Sequence, residues 1–403
     1  MHEHVIVGGG FGGLRVARLL ANRDDIALTV INPQANFEYH GSLYRSANGF
    51  SPLETIIPYR EIFGNTNISY IQDFMVDINP LTKRLQLLSG QDIGYDSVTL
   101  ALGYEPEYFG IPGMREFSKT LYSLADALEL RKALTELATK SFNKQAPARV
   151  VVTGGGPAGV EVATAIGHFF ELVTGDSRVE VILIEAQPQI LGALGADFAQ
   201  AVRQAINDTV TVICNQRVIR ASKESLHIAD QAPLPFDLLI WTAGSSANSY
   251  FRQRPDLFEV DRKGRVMVDE RLQTKHPDLY VIGDSAAVAF SGTAHAAIEM
   301  GSYVAAQIGA QLAGQTLADF VATPPDYAVP TSHNTAVAMQ GDKIVSAAAG
   351  WQLRRQLDLT ALSLIAADEV AQAHWYKGDN LAAMFDRSAM PAAVEPPGRA
   401  GPA

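Results

Sequence analysis

Two glycine-rich segments of one design occur in this chain. Gly8-Gly9-Gly10-Phe11-Gly12-Gly13 follows the apolar run Val5-Ile6-Val7, and Gly154-Gly155-Gly156-Pro157-Ala158-Gly159 follows Val150-Val151-Val152. Both read G-x-G-x-x-G between a strand-like and a helix-like run. The spacing suits one chemistry. The first glycine (Gly8, Gly154) lets a strand turn tightly into a helix. The second (Gly10, Gly156) lets backbone approach a pyrophosphate, and the third (Gly13, Gly159) lets the helix pack close to the sheet. The pyrophosphate then meets free N–H groups at the positive end of the helix dipole. A single copy is a weak signal. Two, each with its strand and helix, point to two dinucleotides on one chain, the arrangement in which a nicotinamide reduces a flavin.

The second strand of such a unit usually ends in an acid that hydrogen-bonds the ribose hydroxyls. In the second unit this is Glu185, after Val181-Ile182-Leu183-Ile184. A carboxylate there would repel a 2′-phosphate and favour NADH over NADPH; the bland alternative is a solvated strand-end charge. In the first unit Asn32 stands in the acid's place. An amide can still accept from or donate to a ribose hydroxyl.

The elements that must hold these groups alternate strand and helix, which predicts an α/β chain with parallel sheets. Strands are expected over 4–8, 27–32, 68–76, 84–88, 97–102, 148–153, 179–185, 209–213, 236–242 and 279–284. Helices are expected over 12–22, 157–172 and 294–312. At 403 residues, 47% hydrophobic and 19% charged, the chain can bury two or three domain cores. Its net charge of −11 argues against nucleic acid as a partner. A first strand near residue 4 leaves no room for a signal peptide, and no apolar run approaches the ~20 residues that span a bilayer. The expectation is a cytoplasmic protein. The Pro-, Gly- and Ala-rich end, 391–403, reads as a disordered tail.

Further motifs fall in a fixed order after the first fingerprint: Leu43-Tyr44-Arg45-Ser46-Ala47-Asn48-Gly49, Leu100-Ala101-Leu102-Gly103, Tyr108-Phe109-Gly110-Ile111-Pro112-Gly113, Trp241-Thr242-Ala243-Gly244, Ile282-Gly283-Asp284 and the run from Thr293 to Gly301. With the two fingerprints, this set resembles the two-dinucleotide flavoproteins, and most closely the type II NADH dehydrogenases, over residues 4 to 345. The resemblance implies two Rossmann-like domains, the NADH domain inserted in the FAD domain, and a small C-terminal segment. It divides the chain into 1–115 and 266–323 for FAD, 116–265 for NADH and 324–403 for the segment. It implies NADH oxidation with electrons passed to a quinone, without proton pumping. Gly8, Gly10 and Gly13, with Gly103, Gly283 and Asp284, would hold FAD. Gly154, Gly156, Gly159, Glu185 and Gly244 would hold NADH. Glu161, just inside the second helix, would lie near the nicotinamide, unless it is a simple helix-end cap.

Cysteine usage narrows the acceptor. Disulfide reductases of this group carry a redox pair after the second strand of the FAD unit. Here Tyr39-His40-Gly41-Ser42-Leu43-Tyr44-Arg45-Ser46 has no cysteine. The one cysteine, Cys214, lies beside an apolar run and reads as a buried core thiol. Quinone-reducing relatives carry a glutamine pair where this chain has His295 and Glu299. Their i, i+4 spacing puts both on one helix face. They read equally as a proton relay for quinone reduction and as a surface ion pair. Tyr39 and His40 are candidates for the opposite wall of the acceptor site. Membrane contact would fall to Trp351-Gln352-Leu353-Arg354-Arg355-Gln356-Leu357, on the inner face of the membrane, or to Leu381, Met384 and Phe385, although core or homodimer packing suits both better. Two other functions remain open: reduction of a small electron-carrier protein, and an apoptosis-inducing-factor-like redox sensor with little turnover.

Overall fold

A computed structural model describes residues 1–141, 147–174 and 179–384. The predicted tail at 391–403, together with Phe385, lies outside these residues.

The β-branched runs form two parallel sheets. The first holds five strands in the order Leu279–Val281, Ser97–Leu100, His2–Val7, Ile26–Ile31 and Ser69–Ile71. The second holds four, Thr211–Ile213, Val179–Ile184, Ala148–Thr153 and Leu238–Trp241. Val5 registers with Thr29 on one side and Val98 on the other. Val151 likewise registers with Ile182 and Leu239. The central strands are buried and read as continuous apolar runs. Helices pack on the Val150, Val152 and Leu183 side of the second sheet, and the antiparallel strands Val218–Ala221 and Ser225–Ile228 pack on its Val151, Ile182 and Leu239 side. Each fingerprint strand lies where the strand order reverses, the position at which open α/β sheets bind ligands beyond their strand ends. The second sheet falls in sequence between strands of the first, so one Rossmann-like unit is inserted in the other.

The long expected strand over 68–76 is broken: Ser69–Ile71 joins the main sheet, and Met75–Asn79 starts a separate antiparallel sheet with Arg84–Leu87 and Asp92–Gly94. The units are not cleanly partitioned. Phe251 and Phe258, expected with the second unit, pack in the first core, while Leu43, Tyr44 and Ala47 of the first unit pack in the second core. Tyr104–Pro106 pairs antiparallel with Ser245–Ala247 where the chain crosses between units.

The helix Phe11–Leu20 runs against Ala294–Leu312. Gly12 and Gly301 make this approach possible: a Cβ on Gly301 would collide with the Gly12 carbonyl, and one on Gly12 would press on the Ala297 carbonyl. Thr293 caps the long helix by accepting from the Ala296 N–H at 3.2 Å.

The C-terminal segment has structure of its own. Strands Tyr327–Pro330, Ala336–Gln340 and Lys343–Val345 form an antiparallel sheet, followed by helices Ala347–Ser363 and Asp368–Met384. Val329 and Val337 enter the second core, whereas Leu362, Ile365, Ala366 and Ala371 enter the first. The candidate membrane segment at Trp351–Leu357 is therefore a packed helix, with Arg354 only 8% exposed. Among the described residues, no helix is long and apolar enough to cross a membrane.

Candidate functional site

The first fingerprint opens a cleft of about 690 Å³ along the strand ends of the first sheet. Gly8, at φ 111°, occupies backbone space that only glycine enters easily, and a Cβ there would overlap the Ala101 carbonyl. A Cβ on Gly13 would overlap the Gly8 carbonyl, so this glycine sets the helix against the strand. Gly10 differs: nothing lies within 4 Å of its missing Cβ, which leaves the start of the helix open to the cleft. No Lys or Arg is among the lining residues, so the anionic part of a ligand would meet backbone N–H groups and the positive ends of two helices.

Asn32 is 8% exposed and its role is visible in its bonds. Its Oδ1 accepts from the Gly9 N–H at 2.9 Å and its Nδ2 donates to Gln34 Oε1 at 2.9 Å. Glu185 does the same in the second unit, accepting from the Gly155 N–H at 2.5 Å and the Gln187 N–H at 2.7 Å. Both strand-end side chains thus tie down the second residue of their loop. The amide supplies the acceptor that an acid would, so its presence does not disable the first unit.

The second loop repeats the first. Gly154 has φ 107°, and a Cβ on it would meet Ala243 backbone; a Cβ on Gly159 would overlap the Gly154 carbonyl; Gly156 faces open space. Gly244 stands instead at the crossing between units, where its carbonyl accepts from the Tyr122 hydroxyl and from the Glu107 N–H at 3.0 Å.

The cleft is also lined by Tyr39, His40, Gly103, Tyr104, Gly283 and Asp284. Burial pushes the Asp284 carboxyl up to about 6, against the opposing pull of the Gly292 N–H at 2.9 Å. Gly103 and Gly283 both have φ 70° there, and the Gly103 carbonyl accepts from Ser285 Oγ at 3.0 Å.

Glu161 is buried and paired. Its Oε1 accepts from Arg354 Nη1 at 2.7 Å, and burial, more than Arg354, sets the direction of its pKa shift, upward. Arg354 also donates through Nε to Asp358 at 2.9 Å, through Nη1 to the Ala328 carbonyl at 2.9 Å and through Nη2 to the Gly41 carbonyl at 2.6 Å. Asp358 in turn accepts from the Tyr39 hydroxyl. One guanidinium therefore joins the second fingerprint helix, the cleft wall and the C-terminal helix. Sequence reasoning placed Arg354 in a segment suited to core or homodimer packing ahead of membrane contact, without naming its partners. The signal it passed over is the i, i+4 spacing of Arg354 and Asp358.

His295 and Glu299 are brought together, with His295 Nε2 3.3 Å from Glu299 Oε1. Thr323 joins them at 3.0 Å from His295 Nε2, and its backbone N–H donates to Glu299 Oε2 at 3.1 Å. The same helix lines the cleft with Ala294 and Ala297. At about 100° per residue, His295 and Glu299 fall on its other side, against the segment around Thr323. Cys214 is half-buried rather than fully buried, with Arg203 Nη1 3.6 Å from its sulfur, and it does not line the cleft.

The site is thus a dinucleotide cleft with polar aromatic walls, a second dinucleotide loop and no thiol. Comparisons with known proteins agree with it. The family model described as pyridine nucleotide-disulphide oxidoreductase matches residues 2–301. The chain is 29% identical over 346 residues to the type II NADH:quinone oxidoreductase Ndh of Mycobacterium tuberculosis, covering 79% of this chain and 74% of that protein. It is 26% identical over 391 residues to the type II NADH:quinone oxidoreductase of Haemophilus influenzae, covering 85% and 88%. In fold it matches NDH2 from Plasmodium falciparum, solved in complex with NADH, at a TM-score of 0.81 with 16% identity over 94% of this chain and 97% of that one. Two fingerprints at two sheet switch points, FAD and NADH as the ligands they suit, and a family model spanning most of the chain lead to one assignment: this is an oxidoreductase of the pyridine nucleotide-disulphide oxidoreductase family.

Proposed function

We propose that the chain is a type II NADH dehydrogenase, oxidising NADH and reducing a quinone through FAD. The observation that carries this reading is the pairing of two glycine cradles with a cleft lined by no cysteine. FAD, when bound, supplies the hydride-accepting and electron-donating chemistry. The chain's own residues supply placement. Gly8, Gly10 and Gly13 hold the FAD pyrophosphate, with Asn32 fixing their loop. Gly103, Gly283 and Asp284 hold the rest of the cofactor. Gly154, Gly156 and Gly159 hold NADH, Glu185 selects it against NADPH, and Gly244 fixes the crossing beside it. Glu161 acts from behind the site through Arg354. His295 and Glu299 act as a hydrogen-bonding pair that pins the Thr323 segment rather than as a proton relay. The domain limits 1–115 with 266–323, 116–265 and 324–403 serve this reading, with the cores exchanging Phe251, Phe258 and Leu43 across them.

The test is direct. The purified protein should be yellow and should oxidise NADH rapidly with menadione or ubiquinone-1. A persistent long-wavelength charge-transfer band with negligible turnover would favour the redox-sensor reading instead. Turnover only with a small electron-carrier protein would favour the carrier-reductase reading.

A further inference from the structure

His40 is the one histidine among the residues lining the cleft, and no Lys or Arg joins it there. Its position is fixed from three sides. The residue before it, Tyr39, donates a hydrogen bond from its hydroxyl to Asp358. The residue after it, Gly41, gives its carbonyl to Arg354 Nη2 at 2.6 Å. Both anchors come from the C-terminal helix Ala347–Ser363. The ring itself meets Tyr104 edge-on, with centroids 5.7 Å apart and the Tyr104 hydroxyl 3.2 Å from Nδ1. Tyr104 sits on the strand that crosses between units. The side chain of His40 is exposed and lines the cleft.

We propose that His40, held by Tyr104, is the proton donor to the electron acceptor in this cleft, a residue that touches substrate. This rests on the quinone reading above. Reducing a quinone to its hydroquinone takes two electrons and two protons. A hydride equivalent brings both electrons and one proton, so a second proton must come from the site. The protonated imidazole breaks its Nε2–H bond as the acceptor oxygen forms an O–H bond. Its Nδ1–H stays hydrogen-bonded to the Tyr104 oxygen, and the neutral ring regains its proton from water. Burial lowers the His40 pKa, which makes its cation a stronger acid, while Glu38 opposes that shift. Asp284, Tyr122 and Glu161 are the further titratable side chains that act on Tyr104, which is itself held protonated, chiefly by burial.

The test compares H40Q and Y104F with the parent flavoprotein at equal flavin content. Menadione serves as an acceptor that needs protons, and ferricyanide as one that does not. The ratio of menadione to ferricyanide turnover is expected to fall on the order of a hundredfold in H40Q, the range of general-acid catalysis, and less in Y104F. In the parent, the ratio should decline with rising pH, and this dependence should vanish in H40Q. Carbon-13 histidine NMR should show the His40 resonance titrating in the parent at a pH that Y104F shifts. Equal losses with both acceptors, or an unchanged ratio, would overturn the proposal. If Gln at 40 prevents folding, an unaltered ratio and titration in Y104F would overturn it alone. Ferricyanide turnover without any menadione turnover in the parent would instead refute the quinone reading itself, and the proposal with it.

Discussion

Replacing Arg354 by Met probes how the C-terminal helix is tied to the rest of the chain. The side chain is buried and makes four hydrogen bonds of 2.6 to 2.9 Å, to Glu161, Asp358 and the carbonyls of Ala328 and Gly41. Methionine fills most of the volume but leaves the buried Glu161 carboxylate without its cation and Asp358 with Arg355 alone, whose Nη1 lies 3.6 Å from its Oδ2. Breaking a buried pair in this way costs about 3–5 kcal/mol, far more than the ~1 kcal/mol of a surface bridge. Part of that cost belongs to Glu161, so E161Q in the R354M background should restore on the order of 1 kcal/mol or more, a clear coupling in a double-mutant cycle. Urea unfolding of flavin-loaded protein, followed by tryptophan fluorescence, measures all four corners. A loss below about 1 kcal/mol in R354M, or strictly additive effects, would refute a buried network in which Arg354 neutralises Glu161.

Four further outcomes follow from the geometry. Gly10→Ala and Gly156→Ala meet no protein atom, so each should fold like the parent yet lose FAD or NADH affinity respectively, whereas Gly13→Ala and Gly159→Ala should lower thermal stability as well; calorimetry and flavin content separate the two pairs. Glu185→Ala should relax discrimination against NADPH by about tenfold, read as the ratio of kcat/KM values; an unchanged ratio removes Glu185 from the ribose. Asp284→Asn should alter how stability varies with pH in the FAD-free protein. The folded carboxyl titrates near 6, above its unfolded value of 3.8, so its stabilisation is complete below pH 3.8 and is lost as pH rises through 6. The variant should therefore gain on the order of 1–3 kcal/mol over the parent at pH 7.5 in urea titrations, with the gap closing toward pH 4. Finally, His295→Ala with Glu299→Ala should leave flavin bleaching by NADH intact and cost at most about 1 kcal/mol, as a half-exposed pair would.

Both dinucleotide units were legible because their signal is local: a buried parallel strand must be apolar, and the turn after it must be glycine. The strands at His2–Val7 and Ala148–Thr153 and the helix Ala294–Leu312 fall within two residues of expectation for that reason. The bonds of Arg354 were not legible, since its partners Glu161 and Gly41 lie far away in sequence and only the fold joins them. His295 and Glu299 share one helix face as their spacing requires, but spacing alone does not say which face meets the cleft. Asn32 illustrates a different limit. A sequence pattern scores an acid against an amide, while the loop asks only for an oxygen that accepts one N–H.

The C-terminal segment places Val329 and Val337 in one core and Leu362 and Ile365 in the other. For protein engineering, this makes the nucleotide units non-interchangeable cassettes. A chimera that imported a foreign NADH unit between the crossing strands would bring a surface unmatched to the hairpin at 327–345 and the helix that carries Arg354. Such a graft has to import the hairpin and helix along with the unit, or redesign the joint they form.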